Sequence, residues 1–211
     1  MDKDLFIEEL KKIGINISEK QLGQLDKYYH LLVEWNEKIN LTRITEEKQV
    51  YLKHFYDSLS LINIVDLNRK ISLCDIGTGA GFPGLVLKIV FPSLSITLVD
   101  SLQKRIDFLN KVIDELNLVD IKAIHIRAED LARNNNEKYD IVTCRAVSRL
   151  NKLLKYCMPL LKESGSFIPM KANCEDEIKE ISQRKVKIVK IVKFVLPVEE
   201  SNRTLLEIKN K

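Results

Sequence analysis

Leu73-Cys74-Asp75-Ile76-Gly77-Thr78-Gly79-Ala80-Gly81-Phe82-Pro83-Gly84 is the stretch on which the fold turns. The apolar run Ile71 to Ile76 leads straight into four glycines within eight residues. Such glycines let the backbone turn tightly and approach a ligand with no side chain between them, and Pro83 suits the first turn of a following helix. A strand, a glycine loop, a helix and an acid, Asp100, 23 residues beyond Gly77 together predict a nucleotide-type pocket rather than a plain chain reversal.

Gly79 to Gly84 also fits the G-x-G-x-x-G dinucleotide pattern, so the ligand must be chosen on other grounds. Asp75 at the mouth of the strand would repel a pyrophosphate in a partly desolvated cleft. The same carboxylate attracts S-adenosylmethionine, which carries a sulfonium and an ammonium and no phosphate. Asp75 and the glycines Gly77, Gly79 and Gly81 are therefore expected to contact that cofactor. Asp100 can take ribose hydroxyls in either case. Glu129, just after the run Lys122 to Arg127, stands where a loop could reach the adenine amino group.

Outward from the loop, short apolar runs recur at Ser95 to Asp100, Lys122 to Arg127, Tyr139 to Arg145 and Ser166 to Lys171, with helical segments between them such as Gln103 to Asn117 and Arg149 to Leu161. This alternation predicts an α/β fold, a parallel sheet covered on both faces. After a last helix near Glu175 to Ser182, Lys185 to Leu196 and Arg203 to Lys209 leave no room for a crossover and should pair antiparallel at the sheet edge. Upstream the pattern is helical. Ser18 to Gln21 reads as a capping box, Leu22, Leu25, Tyr29, Leu32 and Ile39 keep helical spacing, and Asn40 suits a left-handed stop. Thr42 and Thr45 should open the next segment, with Glu46 and Glu47 in its first turn. The expected division is a helical cap over residues 1–66 and a Rossmann-like domain over 67–211.

The 211 residues are 45% hydrophobic and 30% charged, enough for one sizeable core, which excludes disorder, collagen and a disulfide scaffold. No apolar run is long enough for a membrane helix, and Met1-Asp2-Lys3-Asp4 lacks a secretory layout, so a cytoplasmic protein without membrane partner is expected. Four scattered cysteines and three histidines suggest neither a disulfide framework nor a metal site. The net charge of +4 arises near the C-terminus, where Ile178 to Lys211 holds 9 basic and 4 acidic residues. That tilt permits an anionic macromolecular partner.

Trp35-Asn36, Ile39-Asn40-Leu41-Thr42, His54, Asp57-Ser58-Leu59, the Asp75 to Gly84 loop, Thr97 to Ser101 with Lys104-Arg105, Arg127-Ala128-Glu129 and Arg145-Ala146 occur together in this order. In this the chain closely resembles the bacterial glucose-inhibited division protein B family, methyltransferases acting on guanine N7 of small-subunit (16S) ribosomal RNA. The resemblance runs from about Phe6 to Lys209. It implies a class I S-adenosylmethionine-dependent methyltransferase fold, with a seven-stranded sheet, an antiparallel last strand and a helical N-terminal cap. It also implies cofactor contacts at Gly77, Phe82, Ala128, Glu129 and Arg145, with Asp100 on the ribose. The partner would be small-subunit ribosomal RNA or a partly assembled 30S particle, met by a monomer. The chain departs from the family in having Lys171-Ala172 where Lys-Gly is usual, and in a short C-terminal region.

Guanine N7 has an in-plane lone pair and no proton, so no catalytic base or nucleophile is expected; catalysis would rest on positioning, which can supply about 7–11 kcal/mol. Lys104, Arg105, Arg145, Arg149 and Lys171 are the candidate RNA contacts. Cys144 would serve as nucleophile only if the target were a pyrimidine C5. His54 is expected to bond backbone near Asp57 rather than substrate, and Trp35 to pack in the core. Two other classes stand against the methyltransferase: a dinucleotide oxidoreductase, which Asp75 opposes, and a non-catalytic nucleotide or RNA binder.

Overall fold

A computed structural model of the chain describes residues 1–134, 137–145, 147–181 and 185–211. Among these residues seven strands, β1 (Ser72–Ile76), β2 (Ser95–Asp100), β3 (Ile121–His125), β4 (Tyr139–Arg145), β5 (Leu161–Lys171), β6 (Val186–Val195) and β7 (Asn202–Asn210), form one sheet ordered β3-β2-β1-β4-β5-β7-β6. The first five are parallel, and β7 runs antiparallel to both β5 and β6. The expected hairpin forms, but its second strand lies inside and β6 is the edge. The reason is visible in burial: Leu205, Leu206 and Ile208 of β7 are buried, whereas β6 carries Lys187, Lys190 and Lys193. Lysines blunt an edge strand against further pairing, which accounts for much of the C-terminal positive charge.

Strand side chains alternate between two cores. Leu73, Ile96, Leu98 and Ile141 face one, Cys74, Ile76, Val99, Val142 and Cys144 the other. The first core is covered by α1 (Lys3–Lys12), α2 (Glu19–Ile39) and the segment α3 (Glu47–Val50), a π turn over Tyr51–Tyr56 and α4 (Asp57–Leu59), together with α5 (Gly84–Val90) and α6 (Gln103–Glu115). The second is covered by α7 (Ala128–Asn134), α8 (Leu150–Cys157) and α9 (Glu175–Ile181). Phe6, Leu25, Tyr28 and Phe55 of the N-terminal helices join Leu85, Leu98 and Phe108 in a single cluster, so one core runs across the change of pattern near residue 66. Trp35 packs on Phe108, with ring centroids 5.7 Å apart.

Local signals explain the helix ends. Ser18 and Gln21 make both bonds of the capping box, worth about 1 kcal/mol, and Asn40 closes α2 at φ 50°. The next helix is opened by Glu46, whose carboxylate accepts from the Lys48 and Gln49 amides, and not by Thr42 or Thr45. Pro83 sits just before α5 as its N-cap, one position earlier than expected. Helix α8 stops at Cys157 because Pro159 follows in a 3-10 turn, Met158–Leu160, and β5 begins earlier than Ser166 because Leu161 pairs with Tyr139 ahead of a register shift. The expected end of α9 at Ser182 lies outside the described residues, as does Ala146.

Candidate active site

Strand order reverses between β1 and β4, and the crevice beyond the carboxyl ends of those strands is where a sheet of this kind binds ligands. A cavity of about 700 Å³ opens there, walled by the glycine loop, the ends of β2 and β4, the start of α7, and Leu41, Thr42 and His54 of the N-terminal segment.

Gly77, Thr78, Gly79, Ala80 and Phe82 line it, whereas Asp75 and Gly81 do not. Asp75 is wholly buried beneath the loop, where Oδ2 accepts from Thr78 Oγ1 at 2.7 Å and from the Gly84 amide at 2.8 Å. Burial pushes its carboxyl up to about 6, against the pull of those two hydrogen bonds. It therefore shapes the loop rather than facing a ligand, which corrects its expected role. The first amide of α5 is thus taken by this carboxylate and is not free for an anion. Gly81 is likewise structural. At φ 101° an added Cβ would lie 2.4 Å from Leu85 Cδ1 and 2.7 Å from the Tyr28 hydroxyl, and Tyr28 itself donates to the Ala80 carbonyl. Gly79, at φ 62°, has nothing within 4 Å of such a Cβ and leaves space over the loop.

On the β2 and β3 side, Asp100 is nearly buried and accepts from the Gly79 amide at 2.9 Å and the Leu102 amide at 3.0 Å. Arg105 donates to it at 3.2 Å and lines the same cavity, so this residue belongs to the cavity wall beside Asp100 and not to an outlying surface. Ala128 and Glu129 open α7 at the rim, with Lys152 of α8 3.9 Å from the Glu129 carboxylate. Carboxylates at Asp100 and Glu129, open space above Gly79 and an occupied helix start suit a ligand rich in hydroxyl and amino donors and free of phosphate, as S-adenosylmethionine is.

On the β4 side, Arg145 donates to the Lys53 carbonyl at 2.8 Å, to Asp57 Oδ2 at 3.2 Å and to His54 Nδ1 at 3.1 Å, and its guanidinium stands 5.1 Å from the Phe82 ring centroid. The His54 ring stacks on Phe82, centroids 4.3 Å apart and planes 15° from parallel. Burial, then the Arg145 charge, lower His54 to about 3, so it is neutral. His54 is thus part of the cavity wall, which corrects the expectation of a ring that only bonds backbone near Asp57. Asp57 also accepts from Arg203 Nε at 2.9 Å. No local sequence pattern marks Arg203 or Lys152 as site residues, and Thr42, although it ends one of the stretches that carry the family resemblance, reaches the site only through the fold.

The remaining RNA candidates lie outside this cavity's wall. Lys104 is exposed. Arg149 pairs with Glu180, and Lys171 is tied to the Ser148 carbonyl at 2.6 Å and to Glu177 at 3.0 Å. Cys144 is buried in the second core beside Cys157 and away from the cavity, which removes the nucleophile reading.

The family profile described as rRNA small subunit methyltransferase G matches residues 21–206. The chain belongs to the rRNA small subunit methyltransferase G family. Among members, Ribosomal RNA small subunit methyltransferase G of Lysinibacillus sphaericus is 50% identical over 97% of this chain and 89% of its own, and that of Bacillus pumilus is 47% identical over 100% and 91%. The fold has wider kin. Magnesium protoporphyrin IX methyltransferase of Synechocystis PCC 6803, solved with bound SAM, superposes with a TM-score of 0.62 at 13% identity, covering 87% of this chain and 97% of that one. TrmN of Thermus thermophilus gives 0.61 at 13%, covering 76% and 53%. As a member of the rRNA small subunit methyltransferase G family, the chain is a class I enzyme that transfers methyl from S-adenosylmethionine to ribosomal RNA.

Proposed function

We propose that this enzyme methylates N7 of a guanine in small-subunit ribosomal RNA by positioning alone. The observation that carries the reading is the β4-side wall: the residues there that could move a proton are already engaged, His54 neutral between Arg145 and Thr42, and Asp57 held by two arginines. Among the described residues lining the cavity, Asp100 and Glu129 are the carboxylates, and both stand at the β2 and β3 end. A wall without a base fits a target atom with no proton to lose.

When bound, S-adenosylmethionine supplies an electrophilic methyl on a positively charged sulfur, and guanine N7 supplies the lone pair. The chain does the rest. Asp100 would hold the ribose hydroxyls, and Ala128 and Glu129 at the rim would hold the adenine. Gly77 and Gly79, both at positive φ, would keep side chains off the cofactor, while Phe82 and Arg145 would border the transfer zone. Holding the reacting atoms at near-attack distance can supply about 7–11 kcal/mol. The guanine must come from a single-stranded or splayed loop, because A-form pairing hides its N7 edge in a deep, narrow groove. Lys104 and Arg149 hold its flanking phosphates. In this reading the 1–66 cap lends Thr42, His54 and Asp57 to the substrate wall, and the 67–211 unit supplies the rest of that wall and the cofactor side. Its place is the cytoplasm, as a monomer; the modest net charge favours a partly assembled 30S particle that presents the loop over naked RNA.

Transfer of labelled methyl to small-subunit RNA and to 30S particles from cells lacking the modification, followed by nucleoside digestion, tests this. Label in 7-methylguanosine supports it; label in any other nucleoside overturns it.

A further inference from the structure

We propose that the Thr42 hydroxyl is the specificity contact of the site, a forced donor that reads O6 of the target guanine; this rests on the N7 reading above. Three bonds hold Thr42 in place just past α2. Its amide donates to Asn36 Oδ1 at 2.8 Å, its Oγ1 accepts from the Ile44 amide at 3.1 Å, and the same Oγ1 lies 3.0 Å from His54 Nε2.

The direction of that last bond follows from Arg145. A guanidinium can only donate, and its Nη2 lies 3.1 Å from His54 Nδ1, so Nδ1 must accept and carries no hydrogen. The neutral ring therefore bears its hydrogen on Nε2 and donates it to Thr42. Both acceptor positions of Oγ1 are then filled, by Ile44 and by His54. A threonine hydroxyl ordinarily donates or accepts as a partner demands and so discriminates little. Here it can only donate, and no acceptor for its hydrogen stands among the described residues.

Thr42 lines the cavity on the β4 side with Leu41, His54, Phe82 and Arg145, away from Asp100 and Glu129. A guanine presenting N7 presents O6 on the same edge, and both are acceptors. Adenine offers N7 beside an amino donor instead. A hydroxyl fixed as donor satisfies guanine and sets donor against donor for adenine, so the relay from Asp57 through Arg145 and His54 to Thr42 converts a permissive side chain into a selective one.

The test compares wild type, Thr42→Val and Thr42→Ser on 30S particles, with S-adenosylmethionine affinity measured separately by calorimetry. Thr42→Val should lower kcat/KM for RNA about 10-fold, the size of one lost neutral hydrogen bond, with cofactor Kd within about twofold. Thr42→Ser should stay within about threefold of wild type. On a reconstituted RNA carrying 2-aminopurine, which lacks O6, at the target, wild type should fall to the level of Thr42→Val and the variant should fall no further. Equal rates for wild type and Thr42→Val with label in 7-methylguanosine would overturn the proposal alone. A parallel loss of cofactor affinity would assign the hydroxyl to the cofactor, and a Thr42→Ser variant as poor as Thr42→Val would make the role packing; either outcome overturns it. Label elsewhere than N7 fails the underlying reading, and this inference with it.

Discussion

Asp75 ties the glycine loop to itself within ten consecutive residues by bonding Thr78 and Gly84, whereas the facing wall gathers Thr42, His54, Asp57, Arg145 and Arg203 from separate elements. Those bonds within the loop need only local backbone geometry, and the Gly77, Thr78 and Gly79 amides then dock it on Val99 and Asp100 of the neighbouring strand. The wall exists only once the N-terminal helices dock on the ends of β4 and β7. The turn of the glycine loop is thus written largely in one segment, and the β4-side wall is a property of the fold.

The largest effect should come from breaking the assembled wall. Asp57→Ala leaves Arg145 and Arg203 half-buried without their shared carboxylate and should cost about 3–5 kcal/mol, read by urea unfolding. A change below about 1 kcal/mol would mean the wall does not depend on that pair. Within the loop, Gly81→Ala should cost about 3 kcal/mol, since its Cβ meets Leu85 and Tyr28 at positive φ. Gly79→Ala meets nothing and should cost only about 1 kcal/mol while weakening cofactor binding, so equal losses would erase the distinction between glycines that pack and glycines that leave space.

Asp75 sets the loop apart from the wall through pH. Its carboxyl is raised to about 6, so the folded chain holds that proton more tightly than the unfolded chain does. The contribution favours folding at low pH and is lost as pH rises from about 4 to 6. Asp75→Asn, which can still accept from Thr78 and Gly84, should gain stability relative to wild type across that window, by roughly 3 kcal/mol at most. Parallel stability curves would show that Asp75 is not desolvated. The smallest change belongs to the surface: Lys104→Ala should leave stability within about 0.5 kcal/mol and reduce the salt slope of RNA binding by about one.

These differences also mark what is legible in the sequence. The sheet, its antiparallel hairpin and the loop follow from periodicity and glycine spacing, because period-two burial and positive-φ turns are written in neighbouring residues. The inward place of β7 depends on burial: apolar Leu205, Leu206 and Ile208 against a lysine-studded β6. Asp75 reads as a ligand because its position at a strand mouth is plain, while its side-chain direction depends on Gly84 folding back above it. Lys171 and Arg105 read as free cations in sequence, but the fold brings Glu177 and Asp100 beside them. His54 and Thr42 cannot be paired from sequence, since the bond between them is set by a π turn and by Arg145, 91 residues beyond His54.

The pH dependence of single-turnover methyl transfer tests most directly whether this site works by position and moves no proton. With enzyme and S-adenosylmethionine in excess over 30S particles, the rate should be level between about pH 6.5 and 8.5, because His54 stays neutral and N7 has no proton to give up. A rate that climbs tenfold per pH unit and then levels off inside that range would reveal a catalytic base and contradict transfer by positioning.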